Sequence, residues 1–373
     1  MSEAECGYCG RVADDGELVA ASIDVLAAAI SDGLSIEYED PIIQVGYDSR
    51  EGGYLMPYQD TFDLLHEHDV SDSGKLISDL TNVIETQLWC QKDPYRPSPH
   101  QALSWGWQAF RRHVMYRKRF TFLLPDAQSQ EQRDYGEIPP EDMLLALARA
   151  IDATDLVKPL PAGTCLIRAR VHSVSENPRT ALELGAPPRE RAKANRMTPA
   201  GISGFYAAMT EECALAEVRG YAVPASAIAL GTFITAREVS ILDLASLPAL
   251  PSLFDEEMRH LRGAISFLRD FSSDVARVAR PDDMEHLDYV PTQVVAEYLH
   301  ERFALESEGR SPIEGIVWAS SRVDEQRSLV LFVGPDACVD ERDGWAADAA
   351  SLVALRSGSV RSFVAVESPM DGQ

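Results

Sequence analysis

The sequence is poor in positive charge and has no long apolar run. Its 34 Lys and Arg stand against 59 Asp and Glu, which gives a formal net charge of −25 at pH 7. Such an acidic surface repels phosphate backbones, so broad nucleic-acid binding is disfavoured. A membrane-spanning helix needs roughly 18 or more apolar residues, and the best candidate segment, residues 18–30, is interrupted by Asp24. We therefore expect a globular protein that neither crosses a membrane nor binds nucleic acid broadly.

Cysteine is also scarce, with six residues of which only Cys6 and Cys9 lie close together. The first residues carry no basic segment typical of a secretory signal, so we expect a cytoplasmic protein with reduced thiols. Residues 6–10 (CGYCG) have the shape of a zinc knuckle, but one CxxC motif supplies only half of a tetrahedral zinc site. The motif leaves two alternatives open. Either Cys6 and Cys9 bind zinc with ligands from elsewhere in the chain, or they are a pair of reduced thiols.

The chain length of 373 residues predicts two domains. Helical periodicity dominates the first part, the polar residues 126–142 are typical of a linker, and strand patterns mixed with helices follow. This order favours an α-helical domain before an α+β domain. The predicted helices are residues 18–30, 76–89, 104–116, 141–153, 211–219, 255–269 and 292–303, and the predicted strands are residues 164–171, 202–208, 228–235, 239–244, 315–319, 329–333 and 360–366.

One segment stands out by its charge. Residues 189–196 (RERAKANR) carry four basic side chains against Glu190 alone, a net +3 inside an acidic protein. The segment is either an anion-binding pocket or a solvated helix face, and spacing alone favours the solvated face. A turn and a short strand with Tyr206 follow, and then a helix that Thr210 can cap. That helix carries Glu217 among small residues, where a buried carboxylate is costly unless it has a function or pairs with an arginine.

Three adjoining motifs in this region resemble the RES domain family, which is named for an Arg, a Glu and a Ser. They are residues 195–201 (NRMTPAG), 205–208 (FYAA) and 214–218 (ALAEV). Further stretches resemble the family's opening strand, late helix, serine-bearing strand and following strand: residues 166–170, 289–298, 315–322 and 329–332. The resemblance covers about residues 159–340, and the order and spacing of several motifs make it specific.

The resemblance implies a mixed β-sheet fold similar to ADP-ribosyltransferases and an attack on NAD⁺ with nicotinamide as the leaving group. Some members are toxins that deplete cellular NAD with water or phosphate as acceptor. The family's functional positions fall on Arg168, Arg196, Tyr206, Glu217 and Ser320, with Arg170 and Arg322 as neighbours. Trp318-Ala319 stands where many members have an aromatic residue followed by Pro, which leaves the choice between Ser320 and Ser321 open.

The chemical properties of these side chains also suit the reaction, independently of the family resemblance. Cleaving a nicotinamide–ribose bond develops oxocarbenium charge, which a carboxylate such as Glu217 stabilises. Arg168 and Arg196 are suited to a pyrophosphate, and Tyr206 offers a ring face for stacking. Ser320 can hydrogen-bond nicotinamide or phosphate without acting as a nucleophile. The leaving group departs neutral, so no histidine base is required, and His172 and His286 are assigned to packing or surface roles.

The first part of the chain resembles the HEPN/RES N-terminal domain 1, through residues 48–54, 88–90 and 102–107. HEPN ribonucleases carry an Arg and a His four to six residues apart on a helix, and the pairs near His113 and His100 both miss that spacing, so ribonuclease activity is not expected. The basic residues 111–119 can meet RNA or dock against the acidic remainder of the chain, and docking is favoured.

The resulting prediction is an NAD⁺-degrading glycohydrolase or phosphorylase, a toxin or defence effector regulated by its N-terminal domain. Its predicted parts are an α-helical domain (1–125), a linker with a connecting helix (126–158), a RES domain (159–340) and a C-terminal extension (341–373). The catalytic residues are Glu217, Arg196 and Ser320, and Arg168, Arg196, Tyr206 and Ser320 bind NAD⁺. No cofactor is required, and an antitoxin or regulatory protein and a second copy of the chain are the expected partners. The alternatives are ADP-ribosyl transfer to a macromolecule, and a module that senses NAD or contacts RNA without turnover.

Overall fold

A computed structural model of the chain describes residues 6–12, 22–50, 52–219, 226–277, 285–305, 312–341 and 351–364. The chain forms two compact units. The smaller comprises Met1–Ser98 with Leu250–Arg262, and the larger comprises Pro99–Ala249 with Gly263–Gln373. In the part of the chain that the structure describes, no helix combines the length and the apolar character that crossing a bilayer requires.

The smaller unit packs helices around a three-stranded sheet. Its elements are α1 (Ile23–Leu34), β1 (Tyr38–Glu39), α2 (Pro41–Gln44), β2 (Tyr47–Asp48), β3 (Gly53–Tyr54), β4 (Gln59–Asp60), α3 (Thr61–Glu67), α4 (Gly74–Val83) and β5 (Leu88–Gln91). Strand β5 lies between β1 and β4 and is antiparallel to both. The side chains of Ser22, Asp40, Asp60 and Ser73 cap the N-termini of α1 to α4. The core contains Leu34, Leu64, Leu65, Ile77 and Leu80.

Two predicted helix boundaries in this unit need correction. The helix predicted over residues 76–89 ends at Val83, and its last residues belong to strand β5. The buried indole of Trp89 donates a 2.9 Å hydrogen bond to Thr61 Oγ1, so tertiary contacts override the local helical pattern. The helix predicted over residues 18–30 spans Ile23–Leu34, and residues 18–21 lie outside the described residues.

The larger unit combines eight helices with a large sheet in the described part of the chain. The helices are α5 (Pro99–Tyr116), α6 (Ser129–Asp134), α7 (Met143–Ala153), α8 (Ala181–Leu184), α9 (Glu211–Arg219), α10 (Arg262–Ala276), α11 (Glu285–Asp288) and α12 (Val290–Arg302). The strands are β6 (Val157–Leu160), β7 (Cys165–Ser173), β8 (Phe205–Ala208), β9 (Ser226–Thr235), β10 (Val239–Asp243), β11 (Gly315–Ala319), β12 (Arg327–Leu331), β13 (Cys338–Asp340), β14 (Val353–Leu355) and β15 (Arg361–Val364).

The sheet is mixed, which confirms the predicted α+β class. Its strand order is β13-β14-β9-β7-β8-β12-β11-β10-β6, and β15 pairs with β9 beside β14. The pairs β10–β11 and β13–β14 are parallel, and the other neighbours are antiparallel. The predicted strand 315–319 and the predicted helix 211–219 have the bounds that the structure gives to β11 and α9.

Helix α5 is part of the main core of the larger unit. Its buried Trp107, Phe110 and Val114 belong to the same apolar cluster as residues of α7, α10, α12 and β11. Gly106 lies so close to Ile138 that an added Cβ would be 2.9 Å from the Ile138 Cβ. The compact units therefore divide between Ser98 and Pro99, before α5, whereas the sequence pattern places the division at residue 125.

Residues 126–142 do not form the predicted linker. They contain helix α6, whose first residue Ser129 is buried, and Ile138 packs against the main core. The Arg133 side chain forms hydrogen bonds within this segment, donating to Asp142 at 2.7 Å and to Glu141 at 3.0 Å. The polar composition reflects the exposed side of a packed segment, not a free connection. A fragment that begins at residue 141 would thus lack α5, a part of the core.

Candidate active site

The candidate site lies where two neighbouring strands separate. Strand β7 pairs with β9 along all nine of its residues, but with β8 only through Ile167 and Ala208. Beside this single pair a cavity of about 240 Å³ opens. Among the residues that line it are Arg168, Arg196, Tyr206, Glu217, Arg322 and Ser328. Four of the five predicted site residues therefore line one cavity, and the fifth, Ser320, contacts Glu217 from just beyond the end of β11.

Helix α9 presents Glu217 to this cavity. Thr210 caps the helix by accepting a hydrogen bond from the Cys213 amide, as predicted, and donates one to Gln326 Oε1 at 2.7 Å. The helix is thereby tied at its start to the turn between β11 and β12. Cys213 and Ala214 are buried against the sheet, and Glu217, one turn further along, reaches the cavity half-buried.

Two serine hydroxyls hold one oxygen of the Glu217 carboxylate. Ser320 donates to Oε1 at 3.2 Å and Ser328 donates to the same atom at 3.0 Å. Both serines are buried. The other oxygen, Oε2, lies 3.7 Å from Arg322 Nε. Because Oε1 is fixed by two donors, the carboxylate has a defined orientation relative to the cavity.

Sequence reasoning missed Ser328, because its register within the sheet could not be derived from the sequence. It lies on β12 opposite Ala208 of β8 and opposite Trp318 of β11. The available signal was a serine directly before the apolar residues Leu329, Val330 and Leu331, at the position where the buried part of β12 begins. Trp318 also lines the cavity.

The structure distinguishes the two candidate serines by position. Ser320 is buried against Glu217 and its hydroxyl accepts a 3.2 Å hydrogen bond from the Arg322 amide, whereas Ser321 is exposed. Arg322 lines the cavity and faces Glu217. Arg170 is exposed and donates to the Glu183 carbonyl.

Arg168 occupies the gap between the separating strands. Its Nη1 donates to the carbonyl of Tyr206, and its guanidinium carbon lies 5.1 Å from the centre of the Phe205 ring. Burial lowers the pKa of Arg168 to about 10, which leaves it cationic at neutral pH. Its Nε is buried without a hydrogen-bond partner. An unsatisfied buried donor costs about 1–3 kcal/mol, and such groups are rare enough in native proteins to call for an explanation.

Tyr206 contributes its ring to the cavity, while its hydroxyl is held by the preceding turn. The hydroxyl lies 3.0 Å from Thr198 Oγ1 and accepts a 3.2 Å hydrogen bond from the Met197 amide. Burial raises the pKa of Tyr206 to about 12, so the side chain is neutral. The turn also contains Gly201 at φ +86°, a backbone conformation that suits glycine.

Arg196 differs from the rest of its basic segment. Arg189, Arg191 and Lys193 are exposed, as a solvated face predicts, although the segment holds only a 3₁₀ turn at Arg189–Arg191. Arg196 is half-buried, donates through Nη1 to the carbonyls of Val275 and Arg277, and has its guanidinium carbon 5.9 Å from the centre of the Tyr289 ring.

The other polar motifs lie outside the cavity. His172 is buried with Nδ1 2.8 Å from the Ser173 carbonyl, and His286 is exposed. No histidine lines the cavity among the residues that the structure describes. Cys6 and Cys9 are at least partly exposed, and hydrogen bonds from the Cys9 and Tyr8 amides lower the pKa of Cys6. The described residues bring no third His, Cys, Asp or Glu to them in a metal-binding arrangement.

Comparison with known families places two domains along the chain. Residues 1–128 match the HEPN/RES N-terminal domain 1 and residues 167–350 match the RES domain. No curated protein and no solved structure matches the chain significantly. The RES match is consistent with an enzyme of NAD-related type, in a family associated with toxin–antitoxin systems. The chain therefore carries a HEPN/RES N-terminal domain 1 followed by a RES domain.

Proposed function

We propose that the protein cleaves the nicotinamide–ribose bond of NAD⁺. The observation that carries the proposal is the Glu217 carboxylate, which two buried serine hydroxyls orient in a cavity shared with Arg168, Arg196 and Tyr206. A carboxylate that lines a cavity with one of its oxygens held by two donors suits the stabilisation of a developing positive charge. The match to the RES domain supports the same chemistry.

The reaction breaks the bond between the ribose anomeric carbon and the pyridinium nitrogen. Both bonding electrons leave with the nitrogen, so nicotinamide departs neutral and the ribose carries oxocarbenium charge. Glu217 offsets that charge and accepts a hydrogen bond from a ribose hydroxyl. Water or phosphate then bonds to the anomeric carbon. Water attack releases one proton and yields ADP-ribose, and phosphate attack yields ADP-ribose 1″-phosphate.

The remaining cavity residues bind the substrate and exclude solvent. Arg168 and Arg196 attract the pyrophosphate, because guanidinium groups form strong charge-assisted bonds with phosphate oxygens. The ring of Tyr206 gives the nicotinamide or ribose an apolar face. Ser320 and Ser328 keep Glu217 in place, so Ser320 acts here through the carboxylate and not as a nucleophile.

Such an enzyme would act on cells by removing NAD⁺. An NAD-consuming activity in the RES family fits a toxin or defence effector that an N-terminal domain or an antitoxin restrains. Metal ions are not needed for this chemistry, since the leaving group is already activated by its positive charge.

The test is incubation of the purified full-length chain with NAD⁺, with and without phosphate, followed by mass analysis. Free nicotinamide with ADP-ribose, or with its 1″-phosphate when phosphate is present, supports the proposal. Covalent ADP-ribose on added protein or nucleic acid would instead support macromolecular transfer. Binding of NAD⁺ without release of nicotinamide would make the protein a sensor and refute the proposed reaction.

A further inference from the structure

A second and larger cavity, of about 750 Å³, lies in the same compact unit as the candidate active site. Its walls come from one face each of α5 and α10, together with residues at the start of α12. The residues of α5 recur at positions 104, 107, 108, 111, 112, 115 and 116, the spacing of a single helix face. Helix α5 lies outside the residues matched to the RES domain and within those matched to the N-terminal domain.

The two cavities share wall residues. Arg196 and Tyr289 line both of them. The first cavity, at about 240 Å³, is smaller than the roughly 300–1,000 Å³ typical of sites that enclose a drug-sized ligand. A dinucleotide held by Glu217 therefore extends beyond the first cavity, and the second is the adjoining space past Arg196.

The second cavity also combines three chemistries that an adenosine phosphate requires. Arg112 supplies a guanidinium for phosphate and makes no ion pair among the described residues. Tyr116 and Tyr289 supply ring faces on which a base can stack. Carboxylates such as Asp270 can accept hydrogen bonds from ribose hydroxyls.

Charge inside this cavity favours an anionic ligand although the protein as a whole is acidic. Four arginines and three aspartates line it: Arg111, Arg112, Arg196, Arg277, Asp270, Asp274 and Asp288. Asp274 is neutralised by Arg111 at 3.0 Å and by Arg277 at 2.5 Å, and it also accepts a 2.9 Å hydrogen bond from the Trp107 indole. An acidic envelope around a locally basic cavity selects for a small anion over a long polyanion.

We propose that this second cavity holds the adenosine monophosphate end of the dinucleotide whose nicotinamide end lies against Glu217. Helix α5 is then part of the substrate site. The inference rests on the proposed function in one respect, that NAD⁺ is the ligand of the first cavity. It adds that residues of the N-terminal family domain select a dinucleotide over a mononucleotide.

The test compares two ligands that differ only in the adenosine monophosphate end. Binding of NAD⁺ and of nicotinamide mononucleotide is measured by calorimetry on the full-length chain carrying Glu217→Gln, with Arg112→Ala or Arg117→Ala added. Arg112 is exposed and unpaired among the described residues, so its replacement is compatible with folding. Arg117 is an exposed arginine just after α5 that lines neither cavity, and it serves as the matched control.

Arg112→Ala should weaken NAD⁺ binding about tenfold and leave nicotinamide mononucleotide binding unchanged, while Arg117→Ala changes neither. Equal weakening of both ligands by Arg112→Ala, or unchanged NAD⁺ affinity, would overturn the inference. The proposed reaction is judged separately by nicotinamide release from the unsubstituted chain. NAD⁺ binding that depends on Arg112 without any cleavage would refute the proposed reaction and support the second cavity as a binding site. Cleavage with NAD⁺ binding that does not depend on Arg112 would support the reaction and refute the role of the second cavity.

Discussion

Replacing Glu217 by Gln isolates the negative charge of the candidate catalytic side chain. The Gln carbonyl oxygen can still accept the hydroxyls that lie 3.0 Å and 3.2 Å from Oε1, because an amide oxygen has two lone pairs. The 3.7 Å contact with Arg322 is lost, but both side chains are about a third exposed, and such pairs contribute only about 0–1 kcal/mol to stability. The free energy of unfolding should therefore change by less than about 1 kcal/mol.

The effect on catalysis should be much larger. A carboxylate about 4 Å from a developing unit charge stabilises it by about 4 kcal/mol at an effective dielectric constant near 20. Removing one preorganised electrostatic partner costs about 10²- to 10³-fold in kcat in enzymes that stabilise charge in the transition state. We expect Glu217→Gln to lower kcat for NAD⁺ cleavage by that factor.

The assay is the rate of nicotinamide release by the full-length chain, together with thermal unfolding of each variant. Glu212→Gln is the matched control, because Glu212 lies on the same helix but is exposed and lines neither cavity. Near-normal turnover by folded Glu217→Gln, or an equal loss of activity in Glu212→Gln, would refute this role of Glu217.

Four further predictions follow from the same geometry. Arg196→Lys should weaken NAD⁺ binding, measured by calorimetry, because a lysine ammonium cannot reproduce the guanidinium hydrogen bonds to two carbonyls. Unchanged affinity would indicate that residues 189–196 form only a solvated face. Ser328→Ala should lower kcat about tenfold. The double variant that combines it with Ser320→Ala should lose more activity than either single variant. A double variant as active as one of the single variants would contradict the joint positioning of Glu217 by the two serines. A fragment of residues 141–373 should lack a cooperative unfolding transition, because it loses α5 from the core, and a cooperative transition would show that the core forms without α5. Burial lowers the pKa of His113, so the contribution of this side chain to stability is present above its unfolded pKa of about 6.5 and is lost as pH falls. Between pH 7 and pH 5, Tm should therefore fall less for His113→Gln than for the unsubstituted chain. Equal decreases in Tm for the two proteins would contradict this prediction.

Local sequence patterns predict much of the larger unit. Alternation and β-branched residues locate β7, β9, β10 and β11 to within two residues, and Thr210 marks the start of α9. The residues grouped by the RES motifs also come together, since Arg168, Arg196, Tyr206 and Glu217 line one cavity. The element bounds are predictable because they depend mainly on neighbours along the chain, whereas the grouping of the four side chains was implied only by the resemblance to the RES family.

Features that depend on contacts between residues far apart in the sequence are not predicted correctly. The helix predicted over residues 255–269 is Arg262–Ala276, because residues 250–262 pack into the smaller unit, with Leu253 in its core, before the helix begins. The role of Ser328 depends on the register of β12, which requires the whole sheet. Composition predicts that the basic residues 111–119 dock against the acidic remainder of the chain, but it does not identify the partners. In the structure Arg111 pairs with Asp274 and Lys118 pairs with Asp126.

The position of α5 also bears on how such proteins can be recombined. Its residues are matched with the N-terminal family domain, yet its buried face completes the core of the unit that holds the candidate site. Exchange of residues 1–128 between relatives would replace part of that core and would succeed only where the incoming helix carries compatible side chains. Exchange at the junction of Ser98 and Pro99 would leave that core whole, but the incoming residues would have to pack against residues 250–262, which supply Leu253 to the core of the smaller unit. We therefore expect the residues before α5 to coevolve with residues 250–262, and α5 to coevolve with the rest of the larger unit.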